Sequence, residues 1–182
     1  LVNTRAMSGA PCLHLPVVQN RSDLLDYVYR IQAVLKEVGV SKARLRPHPS
    51  ESIEWYEEFV DTSFFELDRA PLDASLRKSS LVIGPASTLL IDSSIRGVNY
   101  LVFDPAEDYN PLGIQIYFPG KPFDGSDPRI PVAKTDIELK GMLETKQSSD
   151  VAFIGDYLGP TFDVDRVTSA ISGFHHNTRR PS

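Results

Sequence analysis

A histidine and a Ser-Thr pair carry most of the chemistry open to this chain. His48 lies in the run RLRPHPSES, residues 44–52, between Pro47 and Pro49 and close to Arg46 and Glu51. Proline fixes its own φ near about −65° and drives the preceding residue toward extended geometry, so the imidazole is expected in a stiff frame. Rigidity of that kind suits anion recognition, because a preorganised donor loses less entropy when it binds. The second segment is IGPASTLLIDS, where Gly84-Pro85-Ala86 leads into Ser87 and Thr88. A helix opening at Ser87 is expected to aim free backbone amides, the positive end of its dipole and two hydroxyls at one space. A phosphate or pyrophosphate is the guest such donors suit. Each feature also has a plain structural alternative: a histidine at a strand end is often simply packed, and Ser-Thr at a helix start is often only a cap.

The elements that must position these residues follow from hydrophobic spacing. Leu24, Val28, Ile31, Leu35 and Val38 recur at helical intervals, with Ser22 placed as N-cap and Gly39 as the stop. CLHLPVV (12–18) reads as a buried strand, KARLRP (42–47) as a strand closed by proline, and SESIEWYEEFV as a short acidic helix. SFFEL (63–67) and SLVIG (80–84) are further strands, with a short helix PLDASLRKS (71–79) between them. STLLIDSSIR (87–96) reads as a helix ended by Gly97, and NYLVFDP (99–105) as the next strand. Strand and helix therefore alternate, which predicts an α/β fold: a Rossmann-like parallel sheet with helices on both faces. In such sheets ligands collect beyond the carboxyl ends of the strands, which is where His48 and Ser87-Thr88 fall.

Beyond Pro105 the pattern changes, and residues 106–129 read as a long proline-rich loop, or a short hairpin, that either covers the site as a lid or simply lies on the surface. IPVAKTDIELKGMLE (130–144) reads as a strand leading into a helix, and DVDRVTSAISGF (163–174) as a terminal helix. One domain over 1–174 with a disordered tail at 175–182 is the expected organisation. The start, LVNTRAMSGAP, has neither an initiator Met nor an obvious first element, so the chain is expected to be part of a longer one.

Composition narrows the function classes. With 182 residues, 41% hydrophobic and 24% charged, the chain is an ordinary globular one, and its formal net charge of −5 argues against a nucleic-acid surface. The single Cys12 rules out an internal disulfide and points to a reducing compartment, the cytoplasm. No apolar run approaches the roughly 20 residues of a membrane span, so any membrane association is expected to be peripheral, at the inner membrane. His14 is expected on a strand face, and His175 and His176 in solvent. Asp92 and Asp104 are expected in solvent or capping neighbouring turns, with Asp104 also following a strand at the ligand edge; Glu51 and Glu54 are expected on a helix face, and Glu51 is also near enough to His48 to touch a ligand. There is no Walker P-loop, G-x-G-x-x-G, G-x-S-x-G or H-E-x-x-H.

The order RPHPSE and then VIGPASTLLIDSSIRGVNYLVFDP resembles the nucleotide-binding half of bacterial surface-polysaccharide glycosyltransferases built from two Rossmann-like domains, the GT-B architecture. It is most similar to bacterial sialyltransferases, polysialyltransferases and Kdo transferases, which carry an HP motif and a later Ser-Ser or Ser-Thr motif. The resemblance covers residues 12–105 and is weaker through PVAKTDIEL. It implies a CMP-activated sugar as donor, with His48, Ser87 and Thr88 at its phosphate and Pro49 near its base. Arg46, Glu51 and Gly84 would complete the binding loops. It implies no resident cofactor and no metal. The acceptor, a polysaccharide or glycolipid, and the carboxylate general base would belong to a preceding domain, since no acidic pair followed by glycine is found here. On this expectation the chain alone is inactive and makes no nucleic-acid contact. CDP-glycerol glycerophosphotransferases share a similar HP segment and later Ser-Ser, so an activated polyol is an alternative donor. A non-catalytic nucleotide- or phosphosugar-binding module, or an α/β interaction domain, remains the alternative of a different class.

Overall fold

The computed structural model describes residues 2–3, 21–48, 51–105 and 124–157. The strand expected at 12–18, Pro49, most of the proline-rich segment, the helix expected at 163–174 and the tail lie outside the described residues. By internal contacts the chain divides into Leu1–Val151 and Ala152–Ser182. The second unit is described only at its beginning, where a 3-10 turn, Val151–Phe153, runs into the short helix α6, Ile154–Tyr157.

The first unit alternates strand and helix as the spacing predicts. Its elements are β1 (Val2–Asn3), α1 (Arg21–Glu37), β2 (Ala43–Arg46), α2 (Ile53–Phe59), β3 (Phe65–Leu67), α3 (Leu72–Arg77), β4 (Leu81–Gly84), α4 (Leu89–Ile95), β5 (Asn99–Phe103), β6 (Val132–Ala133) and α5 (Asp136–Glu144). All strands pair in parallel, in the order β3-β2-β1-β4-β5-β6. That is the order of the doubly wound dinucleotide folds, with its reversal between β1 and β4.

Side-chain alternation divides the sheet into two faces. Leu45, Ile83, Leu101, Phe103 and Ala133 point to one face and join Val28, Ile31 and Leu35 of α1, Tyr56 of α2 and Leu139 of α5 in a single core. Burying each of these larger side chains stabilises the fold by about 1.5–3 kcal/mol. Tyr27 of α1 stacks on Phe103 with ring centroids 5.4 Å apart and donates its hydroxyl hydrogen to the Phe103 carbonyl at 3.0 Å. Ion pairs Arg30–Asp136 (2.8 Å) and Lys140–Glu37 (3.0 Å) tie α1 to α5. On the other face Arg44 and Arg46 hydrogen-bond to α3, and Tyr100 and Val102 lie on the side of α4. Helices therefore cover both faces, and the chain is a Rossmann-like α/β fold.

The helix ends are set locally. α1 begins at Arg21, so Ser22 lies inside its first turn rather than capping it. It closes at Gly39, whose φ of 85° is open to glycine at little cost; the amides of Gly39 and Val40 bond back to Lys36 and Leu35, which satisfies the last carbonyls. Gly97, φ 70°, ends α4 in the same way, through Gly97 to Ser94 and Val98 to Ser93. Ser52 caps α2, and Thr135 with Glu138 forms a reciprocal capping box on α5.

Candidate functional site at the carboxyl edge of the sheet

His48 sits two residues beyond β2, half-buried, and Glu51 clasps it. The His48 backbone N–H donates to Glu51 Oε2 at 2.9 Å, and the Glu51 N–H donates to the His48 carbonyl at 2.8 Å. The hydroxyl of the buried Tyr56 donates to the same Glu51 oxygen at 3.1 Å. Glu51 thus fixes the segment that carries the histidine, where the sequence alone suggested a ligand contact.

Arg46 points to the opposite face from Leu45. Its Nη1 donates to the Ala70 carbonyl at 2.5 Å and Ser75 Oγ at 2.9 Å, and lies 3.8 Å from Asp68 Oδ1. Arg44 joins the same cluster through Asp68 Oδ2 (3.2 Å), the Ser75 carbonyl (2.9 Å) and Ser79 Oγ (2.6 Å). The Asp68 side chain is only 5% exposed, so two guanidinium groups share one buried carboxylate and the cluster keeps one positive charge in excess. Asp68 and Ser75 were not singled out from sequence. The available signal was the alternation of Arg44 and Arg46 in a strand otherwise flanked by apolar residues, which demands a buried counter-charge.

The second group follows β4. Gly84 is the last residue of the strand, buried and paired with Val102. Pro85 is buried too, and its carbonyl accepts the hydroxyl of Tyr100 at 2.8 Å. Tyr100 is fully buried, which pushes its phenol well above the ordinary range, while a hydrogen bond with the Ser87 side chain pulls the other way. The tyrosine therefore braces the Gly84–Ser87 segment from beneath. α4 begins at Leu89, not at Ser87: residues 85–87 bend first, and Ser87 Oγ accepts the Leu89 N–H at 3.3 Å. One amide expected to face a ligand is thereby already used, and Ser87 behaves as a local cap. Thr88 is exposed at the opening of the helix.

Strand order brings these two groups together at one edge. β2 and β4 flank β1, so His48 and Ser87 emerge on either side of the point where strand order reverses. Asp104 follows β5 at the same edge, half-buried, with its N–H bonded to the Ala133 carbonyl. Residues 4–20 and 106–123 lie outside the described residues. Asp92 pairs with Arg96 at 3.1 Å and Glu54 with Ser52 and Arg69, the surface roles expected of them. A cavity of about 460 Å³ lies at the other edge, between the amino ends of β2 and β4. No described helix is long and apolar enough to cross a membrane.

Comparison with protein-family models finds none that matches this chain, and comparison with curated proteins finds no match either. The fold and the two loops define the class to which the structure speaks, a Rossmann-like α/β domain.

Proposed function

We propose that this chain is the donor-nucleotide-binding domain of a bacterial glycosyltransferase of capsule or lipopolysaccharide synthesis, with a CMP-activated sugar, sialic acid or Kdo, as donor. One observation carries the reading: the HP and ST segments, far apart in sequence, flank β1 at the carboxyl edge where strand order reverses. The Arg44–Arg46–Asp68 cluster, on the strand that leads to His48, carries one positive charge in excess, which favours an anion on that side of the sheet.

In the reaction so proposed, an acceptor hydroxyl attacks the anomeric carbon of the donor sugar. A carboxylate in a second domain takes the hydroxyl proton as the new glycosidic bond forms, and the bond to the nucleotide phosphate breaks with its electron pair going to the departing CMP. This domain holds that phosphate. An imidazolium at His48 and the exposed Thr88 hydroxyl would offset its growing charge, with Ser87 fixing the loop. Acceptor recognition by polysaccharide or glycolipid belongs to the other domain, which is why the isolated chain is expected to bind donor without turning it over.

Calorimetric titration with CMP, CDP and UDP, repeated on His48→Ala, tests this. Binding confined to the cytidine nucleotides and weakened about tenfold or more by the substitution supports it, since a hydrogen bond to a charged group is worth roughly 1.5–3 kcal/mol. Equal binding of UDP, or no change in His48→Ala, contradicts it. A preference for CDP over CMP moves the donor to an activated polyol phosphate.

A further inference from the structure

Tyr56 is fully buried, yet its hydroxyl reaches out of the core. The ring belongs to the cluster that holds Val28, Ile31 and Leu45, and it meets Trp55 edge to face with centroids 5.0 Å apart. Side chains on a helix lean toward its N-terminus, so a tyrosine one turn into α2 reaches back past the Ser52 cap to Glu51. Two other buried tyrosines of the fold satisfy their hydroxyls with backbone carbonyls, Tyr27 with that of Phe103 and Tyr100 with that of Pro85. Tyr56 uses a carboxylate oxygen instead, at 3.1 Å, and the same oxygen accepts the His48 N–H at 2.9 Å. His48 lies past Arg46, the last paired residue of β2, so its N–H falls outside the sheet ladder and Glu51 supplies an acceptor. One oxygen therefore links the packed core to the residue that carries the imidazole. Hydrogen bonds to a charged acceptor are about twice as strong as neutral ones, which suits both halves of the link.

We propose that Tyr56 is a positioning residue for His48: through Glu51 it holds the histidine backbone where the imidazole meets the donor phosphate. The effect on the donor rests on the proposed function, whereas the link from Tyr56 to His48 stands on the hydrogen bonds alone. A site that is competent only part of the time binds proportionally more weakly, so freeing the His48 segment weakens nucleotide binding without removing a group that touches the nucleotide.

Two variants test this. Tyr56→Phe keeps the buried ring and removes only the hydroxyl; Glu51→Ala, at a half-buried position outside α2, breaks the same link from its other end. Each is expected to speed hydrogen exchange at the His48 amide at least about tenfold, while the Val60 amide, bonded to the Tyr56 carbonyl, is unchanged. In calorimetry each weakens CMP binding about fivefold or more, and the double variant binds no more weakly than Glu51→Ala, because Tyr56 acts through Glu51. Unchanged His48 exchange in Tyr56→Phe overturns the proposal, as does equal acceleration at Val60, which marks a general loosening of α2. Additive losses in the double variant, or CMP affinity in Tyr56→Phe equal to that of the parent, also overturn it. A parent chain that binds no CMP refutes the nucleotide reading instead, and His48 exchange then decides the Tyr56 link by itself.

Discussion

Replacing Asp68 with alanine should be among the most damaging single changes in the first unit. The carboxylate accepts from Arg44 Nη1 at 3.2 Å and from the Ala70 N–H at 3.0 Å, and lies 3.8 Å from Arg46 Nη1. Its loss leaves guanidinium side chains that are 20% and 16% exposed without their counter-charge. Removing one partner of a buried pair costs about 3–5 kcal/mol. The lower end applies, about 3 kcal/mol, because Arg44 keeps Ser75 and Ser79 and Arg46 keeps Ala70 and Ser75 as acceptors. Urea denaturation at pH 7 should show the midpoint falling by roughly 1–2 M with unchanged slope. Asp68→Asn, which keeps one acceptor oxygen for the Ala70 amide but turns an NH2 toward Arg44, should lose less than Asp68→Ala. A loss below about 1 kcal/mol in Asp68→Ala would refute the reasoning and free Arg46 for a ligand-contact role.

Three further changes probe separate parts of the structure. Tyr100→Phe leaves the buried Pro85 carbonyl without its donor and should cost about 1–2 kcal/mol in a denaturant titration. Thr135→Ala removes the side-chain half of the α5 capping box and should cost about 1 kcal/mol, with faster amide exchange confined to the first turn. Asp61 is held below its ordinary 3.8 by hydrogen bonds from the Ser63 hydroxyl first and from Lys36 and Gln32, against an opposing effect of burial. A depressed folded value means that its contribution is present above about pH 4 and is lost as pH falls, so Asp61→Asn and the parent should differ in melting temperature at pH 6 and converge toward pH 2.

How much of this was legible in the sequence depended on which constraint was local. The α1 stripe and the glycine stops at Gly39 and Gly97 could be read directly, because helical period and positive φ leave their mark in adjacent residues. Parallel pairing followed from the alternation of elements. Exact strand order did not, since it rests on contacts between residues such as Val2 and Ile83 that no local pattern records. At the site, the placement of His48 and Ser87 at strand ends was legible, but the partners of Ser87 were not. Tyr100 reads as one more apolar residue in NYLVF until the sheet puts its hydroxyl under Pro85. The α4 boundary moved from Ser87 to Leu89 for a related reason: the Ser87 hydroxyl bonds its own backbone two residues on and competes with helix. Glu51 likewise holds the amide of His48 and the hydroxyl of Tyr56, partners that no local pattern records.

The most direct test of the account is an amide NMR titration of the chain with CMP, which reports where a nucleotide binds as well as whether it does. Shifts concentrated at His48, Glu51 and the Gly84–Leu89 segment, with Lys42, Ser79 and Ser80 at the opposite edge unmoved, are the predicted result. Shifts at the amino-edge cavity, or none anywhere at millimolar CMP, would contradict a nucleotide site at the reversal of the strand order.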